Sequence, residues 1–329
     1  MAAIRRFRAR QPALADAIAA ALAQFRSGLS HASSPLPADP ESAAFLLRAE
    51  PNAVTPPPAP VLAPEAAREV ARFVRERRAA ERLLAAGFEP PRSLLLHGLP
   101  GTGKTMLARW LAAELGLPLA TLDLAASISS LLGRTGLNLR RIFDYGRRAP
   151  CVLFLDEFDA VAKRRDDPSD LGELKRAVNV LLKEMEQWPS SSVLIAATNH
   201  PDLLDPAVFR RFDAVLALPL PGLAERETLL RQAWPGDPLL ASQLAPLLQA
   251  ETPASLAAYA ERVGRERVID GGTLREVALR QGRSLFGGTP PRRAAFSAVE
   301  RRLEKGKGKG GKSGKREVAS PEEHGRRLP

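Results

Sequence analysis

The chain has 329 residues, 45% of them hydrophobic but only 5% aromatic, which is enough for about two domains with largely aliphatic cores. Of the net charge of +11, residues 1–10 carry +4 and residues 301–329 carry +6, leaving +1 for residues 11–300. A near-neutral body argues against a basic nucleic-acid groove on the folded domain. Without an apolar stretch near the ~20 residues of a membrane span, and with Cys151 as the single cysteine, we expect a cytoplasmic protein without an internal disulfide.

Residues 1–63 are predicted to be an N-terminal helix followed by a proline-rich connector. The helix is expected over Pro12–Arg26, because apolar residues recur there at helical spacing. It either docks on a partner or is a weakly held terminal helix. Residues 29–63 carry repeated prolines, including Pro56-Pro57-Pro58, and are predicted to be extended.

Residues 64–222 are predicted to form an α/β domain. A charged helix over Pro64–Ala86 is followed by apolar strands that alternate with amphipathic helices, a pattern typical of a parallel sheet covered on both faces. The five predicted strands are Ser93–His97, Leu117–Leu122, Val152–Leu155, Val193–Ala197 and Ala214–Leu218. The helices between them are expected near Lys104–Leu115, Leu137–Arg148 and Glu173–Trp188.

A phosphate-binding loop follows the first of these strands. Its sequence satisfies the pattern G-x-x-x-x-G-K-[ST] between a strand and a helix, the setting that the motif requires. Backbone N–H groups and the helix N-terminus would bind phosphates, Lys104 would reach the β- and γ-phosphates, and the Thr105 hydroxyl would hold Mg²⁺. The expected nucleotide-binding residues here are Gly98, Pro100, Gly101, Thr102, Gly103, Lys104, Thr105 and Met106.

Two adjacent carboxylates, Asp156 and Glu157, follow the apolar strand Val152–Leu155. Asp156 is expected to contribute to nucleotide binding by holding Mg²⁺ through water, and Glu157 to polarise the attacking water as a general base. Asp159, two residues further on, either braces this site or caps the next segment.

Polar residues also follow the later strands. Asn199 comes directly after Val193–Ala197 and Thr198, where it would orient the attacking water, although Thr-Asn after a strand is also a plain turn signal. Arg210 and Arg211 lie on a short predicted helix. They are either solvated surface cations or arginine fingers that enter a neighbouring subunit's site.

The remaining sequence is predicted to be a small all-helical domain, residues 223–288, followed by a disordered basic tail, residues 289–329. No strand pattern is found over Leu223–Phe286, and the Lys-Gly repeats near Lys305 lack the apolar residues of a core. His97 and His200 lie beside the motifs, but no Cys/His spacing indicates zinc.

Over about residues 60–285, the chain resembles the AAA family of ATPases in four motifs and in their order. These motifs are the phosphate loop, the pair Asp156-Glu157, Asn199 and the pair Arg210-Arg211. Arg210 and Arg211 are similar to the paired arginines of microtubule-severing members. The chain also resembles single-module bacterial and phage AAA proteins, in some of which the neighbouring gene encodes a subtilisin-like peptidase. This likeness lies in Leu119–Asp159, Asp170–Glu186 and Asn199–Asp213. The resemblance implies a P-loop five-stranded parallel sheet with a helical lid, and a ring, usually a homohexamer, that hydrolyses ATP with Mg²⁺ at its interfaces.

Two features depart from the family pattern. The aromatic residue of the polypeptide-threading loop is replaced by leucine in Leu131-Leu132-Gly133, and Arg134 stands where an acidic residue is usual. At the start of the third lid helix, where other clades carry an arginine, this chain has residues 252–255, Thr-Pro-Ala-Ser. A second pore-facing segment, Arg164–Gly172, is rich in charge and equally fits a plain surface loop.

Three functions are therefore compared. The leading hypothesis is an ATP-hydrolysing, ring-forming protein remodeller that acts on a protein client or with a partner protease. The second is a nucleic-acid-associated motor or loader that uses the basic tails. The third is a nucleotide-gated scaffold that recruits a partner through the N-terminal helix.

Overall fold

The computed structural model describes residues 47–50, 57–124, 135–160 and 171–307. Two compact units divide the chain: the first combines Met1–Leu229 with Ala250–Leu256, and the second combines Leu230–Gln249 with Ala257–Pro329. Within the described ranges, no helix is both long and apolar enough to cross a bilayer. The predicted helix Pro12–Arg26 lies outside these ranges.

The first unit is an α/β layer structure around a six-stranded sheet, with strand order β1-β3-β4-β5-β2-β6. Its strands are β1 (Arg48–Glu50), β2 (Ser93–His97), β3 (Leu119–Asp123), β4 (Val152–Asp156), β5 (Val193–Thr198) and β6 (Ala214–Ala217). Its helices are α1 (Pro64–Arg78), α2 (Ala80–Ala85), α3 (Lys104–Glu114), α4 (Thr135–Arg148), α5 (Leu171–Glu186) and α6 (Pro206–Phe209). The five predicted parallel strands are all present, and α1 with α2 replaces the single helix expected over 64–86.

Strand β1 was not predicted, because the sequence before residue 64 was interpreted as an extended connector. It pairs antiparallel with β3 and occupies the edge of the sheet. Leu47, immediately before it, is buried, and the guanidinium of Arg109 on α3 donates two hydrogen bonds to the carboxylate of Glu50. A short segment with one buried leucine and one ion pair lacks the strand periodicity that sequence analysis uses.

The central strands are buried on both faces, as expected for parallel strands between helical layers. Alternate side chains of β4 enter different cores: Leu153 and Leu155 pack in one, while Phe154 packs in the other. Because parallel strands point the same way, the carboxyl ends of β2, β4 and β5 lie at one edge of the sheet. This is the edge at which ligands bind in open α/β sheets.

The second unit is helical. Its elements are the latter part of α7 (Leu223–Ala233), α8 (Pro238–Leu244), a 3-10 turn (Ala245–Leu248), most of α9 (Pro253–Asp270), α10 (Leu274–Phe286) and α11 (Pro290–Lys307). The expected all-helical character is found. The predicted boundary at residue 223 coincides with the start of α7, whereas the compact units divide within that helix.

Helix α11 corrects the expectation that the chain is disordered from residue 289. Three of its apolar side chains, Phe296, Val299 and Leu303, are buried. The Phe296 ring fits over Gly282 of α10, where an added Cβ would lie 2.6 Å from the Phe296 ring carbon Cε1. The low aliphatic content of the surrounding sequence concealed these three positions. Residues 308–329 of the predicted tail lie outside the described ranges.

Candidate active site

The phosphate loop joins β2 to α3 and is held in place by the neighbouring strand ends. The N–H of Gly98 donates to the carbonyl of Thr198 at 3.3 Å, and an added Cβ at Gly98 would lie 2.3 Å from the carbonyl oxygen of Leu218. Gly101 and Gly103 have φ angles of 80° and 99°, which side-chain-bearing residues rarely adopt. The glycines of the motif therefore serve backbone contacts and backbone conformation.

Lys104 begins α3 and its side chain is buried beneath the loop. Its ammonium Nζ donates to the carbonyls of Gly98 at 2.7 Å and Leu99 at 3.0 Å. Burial lowers the pKa of Lys104, while the negative charges of Asp156 and Asp159 act in the opposite direction. The ammonium group of Lys104 therefore lies within the electrostatic influence of the carboxylates of Asp156 and Asp159. Lys104 occupies the position in the loop at which the motif requires a lysine.

Thr105 and Asp156 supply a pair of oxygen ligands suited to magnesium. The Thr105 hydroxyl donates to Asp156 Oδ2 at 3.2 Å, although the two residues are far apart in sequence. Magnesium in such sites is held by one or two protein oxygens together with water and phosphate oxygens. This donor set fits that requirement, and its binding of magnesium stays a prediction. Met106, the next residue of α3, has an exposed side chain.

Glu157 leaves the end of β4 with its side chain exposed and its backbone in the left-handed region, at φ 52°. Among the described residues it is the single non-glycine with a positive φ. The turn is held on both sides, because the Glu157 N–H donates to Asp156 Oδ1 at 2.9 Å and the Phe158 N–H donates to the Ala197 carbonyl at 2.8 Å. A left-handed conformation costs a residue with a Cβ about 1–2 kcal/mol.

Asn199 lies at the end of β5, which neighbours both β4 and β2 in the sheet. Its backbone N–H donates to Asp159 Oδ1 at 3.4 Å, and the hydroxyl of Thr198 donates to the same oxygen at 3.2 Å. Thr198 was not singled out in the sequence, since a threonine at a strand end carries no distinctive signal. The sheet register thus brings Lys104, Asp156, Glu157 and Asn199 to one edge.

The two arginines have different surroundings, which the sequence did not reveal. They follow α6, whose N-terminus is capped by Asp205. Arg211 forms an ion pair with Glu186 of α5, whereas Arg210 is exposed and has no ion pair with any residue in the described part of the chain. Neither arginine hydrogen-bonds to the described phosphate loop. The structure therefore does not join them to the other site residues within one subunit.

A segment around Thr252 meets the phosphate loop within the first unit, where the sequence had indicated only a missing arginine. The N–H of Ala254 donates to the Gly101 carbonyl at 3.1 Å, and a Cβ at Gly101 would lie 2.9 Å from Thr252 Oγ1. The proline at the helix start was the available signal for this helix N-terminus. The residues Leu131-Leu132-Gly133-Arg134, and the part of the second pore-facing segment before Leu171, lie outside the described ranges.

Comparison with known proteins identifies a family over the region that contains these residues. Residues 94–220 match the family described as "ATPase family associated with various cellular activities (AAA)". An uncharacterized AAA family ATPase of Sinorhizobium fredii is 47% identical over 144 residues, which is 44% of this chain and 44% of that protein. The ATP-dependent zinc metalloprotease FtsH 1 of Symbiobacterium thermophilum is 38% identical over 251 residues, 71% of this chain and 41% of that protein.

A plant protein is also similar to part of this chain. The chloroplastic ATP-dependent zinc metalloprotease FTSH 7 of Arabidopsis thaliana is 38% identical over 175 residues, which is 51% of this chain and 22% of that protein. The chain spans less than half the length of each of these relatives. The matched region contains the phosphate loop and the carboxyl ends of β4 and β5, so residues 94–220 of this chain form an ATPase domain of the AAA family.

Proposed function

We propose that this ATPase forms a ring in which each site hydrolyses ATP with help from the neighbouring copy, and that hydrolysis remodels a protein client. The observation that carries the catalytic part is the contact of Thr105 Oγ1 with Asp156 Oδ2, directly beside Glu157. A magnesium-binding pair next to a free carboxylate is the arrangement that phosphoryl transfer to water requires.

Each residue of the site has a defined task in this proposal. The Lys104 ammonium and the N–H groups of the loop bind the phosphates, and Glu157 accepts a proton from the attacking water. Asn199 orients that water from the adjacent strand end. Magnesium, when bound by Thr105 and through water by Asp156, neutralises charge that develops on the phosphate oxygens.

Glu157→Gln tests the assignment of the base. This variant keeps the size of the side chain and should bind ATP normally while turnover falls about 10²- to 10⁴-fold, the usual contribution of a general base. Lys104→Ala is the contrasting variant, because it should lose ATP binding, whereas Glu157→Gln should keep it. Wild-type turnover by Glu157→Gln would assign the base elsewhere.

The arginine-finger proposal rests on the exposed position of Arg210. Its lack of an ion pair among described residues leaves it able to enter a second copy's site, while Arg211 is engaged by Glu186. We therefore place the finger at Arg210 and assign Arg211 to holding the segment after α6 against α5. A finger contributes about 10³- to 10⁵-fold to phosphoryl transfer.

Mixed rings distinguish the two arginines. Arg210→Ala should bind ATP with little turnover, and mixing it with Lys104→Ala protein should restore activity, since one mixed interface combines an intact loop with an intact arginine. Glu186→Gln is the control, because it removes the partner of Arg211 and should leave most turnover intact. Absence of recovery in rings shown to mix would refute catalysis between subunits.

Protein remodelling is supported by relatives that are named ATP-dependent zinc metalloproteases. The sequence of this chain contains no H-E-x-x-H, the zinc-binding pattern of such peptidases. The similarity of these 329 residues therefore concerns the ATPase part of those relatives, and we propose that the ring acts with a protease. An unfolded polypeptide such as casein should stimulate ATP turnover, whereas an equal mass of DNA should not.

A nucleic-acid function is the second candidate, and the charge of +6 over residues 301–329, of which +3 lies in residues 308–329, is the observation that favours it. Because Leu303 is buried on α11, truncation should begin at residue 308 so that the helix stays intact. Binding that disappears with this tail and falls steeply with salt would be sequence-independent contact with phosphates. DNA-stimulated turnover that also needs residues 308–329 would replace the protein-remodelling proposal.

A further inference from the structure

Asp159 is a buried carboxylate that joins the carboxyl ends of two neighbouring strands. It lies two residues beyond Glu157 and is 4% exposed. Its Oδ1 atom accepts a hydrogen bond from Thr198 Oγ1 at 3.2 Å and another from the Asn199 backbone N–H at 3.4 Å. A carboxylate is rarely this buried unless it is paired or hydrogen-bonded, so its partners determine where it lies.

Thr198 extends these contacts across the turn that carries Asn199. Its side chain is 1% exposed, and its hydroxyl both donates to Asp159 and accepts from the His200 N–H at 3.1 Å. Its carbonyl accepts from the Gly98 N–H at the start of the phosphate loop. Asn199 therefore has a hydrogen-bonded residue on each side, and both hydrogen bonds involve the Thr198 hydroxyl.

The same network reaches the turn of Glu157. The N–H of Phe158, between Glu157 and Asp159, donates to the Ala197 carbonyl on β5. Residues 157–159 are thus attached to β5 at two points: the Phe158 amide bonds to Ala197, and the Asp159 side chain bonds to Thr198 and Asn199. Two attachments restrict the orientation of the turn relative to β5 more than a single attachment would.

We infer that Asp159 is a positioning residue, which holds the backbone of Asn199 at a set distance from Glu157 so that both side chains address the same water. The inference rests on the proposed roles of Glu157 and Asn199 and adds how their relative placement is maintained. Misplacement of catalytic groups by about 1 Å can cost about 10²-fold in rate.

A capping role is the competing explanation, since aspartate favours helix N-termini. Ala160, the last residue described before 161–170, is the first helical residue after Asp159, so Asp159 stands at the N-cap position. The two roles predict different results for substitutions. Serine also caps helices but is one bond too short to keep the contacts with Thr198 and Asn199, and asparagine can keep both the cap and the contacts.

The test measures kcat, KM for ATP and melting temperature for Asp159→Asn, Asp159→Ser and Asp159→Ala. Asp159→Asn should retain at least about one third of wild-type kcat, because its amide oxygen accepts the same two hydrogen bonds. The serine and alanine variants should lose about 10- to 100-fold in kcat with KM almost unchanged, as expected for a group that acts on the chemical step. Wild-type kcat for Asp159→Ser would overturn the inference.

A double-mutant cycle with Asn199→Ala decides whether Asp159 acts through Asn199. In the Asn199→Ala background, Asp159→Ala should lower kcat by less than about threefold, since there is no longer an Asn199 amide to position. A full additional loss would show an independent role, such as capping, and overturn the inference. If Asn199→Ala alone retained wild-type kcat, the proposed role of Asn199 would fail instead, so the two failures are distinguishable.

Thr198 provides the second route if substitutions of Asp159 prevent folding. Thr198→Val removes the hydroxyl with almost no change in volume, and it should lower kcat with KM unchanged. Thr198→Ser keeps the hydroxyl and should restore kcat, which loss of packing alone would not allow. Equal kcat in the valine and serine variants would refute the network.

Discussion

The left-handed backbone of Glu157 predicts that removing its side chain entirely is less damaging to stability than shortening it to alanine. We compare Glu157→Gly with Glu157→Ala, because both remove the carboxylate and should lose about 10²- to 10⁴-fold in ATP turnover. They differ in the Cβ atom. At φ 52° that atom crowds the backbone, whereas glycine adopts the conformation freely.

The size of the difference follows from two opposing effects. Relief of the left-handed conformation favours glycine by about 1–2 kcal/mol. The greater freedom of glycine in the unfolded chain favours alanine by about 0.4–1 kcal/mol. Glycine should therefore be more stable by about 1 kcal/mol, which corresponds to about 2–4 °C in melting temperature for a domain of 150–250 residues.

Thermal melting of both variants, without nucleotide, measures this difference. Lys183, exposed on helix α5, provides the control pair: there Lys183→Gly should be less stable than Lys183→Ala by about 0.5–1 kcal/mol. The order of glycine and alanine should thus reverse between the two positions. If Glu157→Ala melted at or above Glu157→Gly, the backbone of Glu157 would carry no strain, and the reasoning would be wrong.

Three further predictions concern contacts of the first unit. Gly98→Ala places a Cβ 2.3 Å from the backbone oxygen of Leu218, so the loop must shift and kcat/KM for ATP should fall about 10²-fold in a steady-state assay. Gly146→Ala places a Cβ 2.2 Å from the Trp188 ring, and overpacking should lower the free energy of unfolding by about 1–3 kcal/mol in urea titration. Burial raises the pKa of the Cys151 thiol from 9.0 to about 12, so its contribution to stability is present below pH 9 and declines above it, as urea titration against pH should show.

Controls separate these effects from other consequences of the substitutions, and the first control serves the two glycine variants. Gly236→Ala introduces a Cβ with nothing within 4 Å and should leave both activity and stability near wild type. A helix normally gains stability when alanine replaces glycine, so a stable Gly146→Ala would show that the Trp188 ring can move. For the thiol, the stability difference between wild type and Cys151→Ala should shrink as pH rises above about 9. A pH-independent difference would contradict the raised pKa.

Most of the α/β unit was predictable because its signals are local. Apolar runs such as Leu94–Leu96 and Val152–Leu155 indicate buried strands without knowledge of their neighbours. Strand β1 and helix α11 were not predicted, since each depends on a few contacts with distant residues. Arg109 holds β1 through Glu50, and Gly282 leaves the space that the Phe296 ring of α11 fills.

By itself the sequence determined which chemical groups are available: a phosphate loop ending in Lys104, two carboxylates after β4 and a polar residue after β5. Motif spacing expresses this chemistry because each group follows its own strand directly. Tertiary structure decided how those groups are related, through the parallel register that brings β2, β4 and β5 to one edge. The different surroundings of Arg210 and Arg211, and the contact of Asp159 with Asn199, are long-range relations, which depend on residues that neighbouring positions in the sequence do not specify.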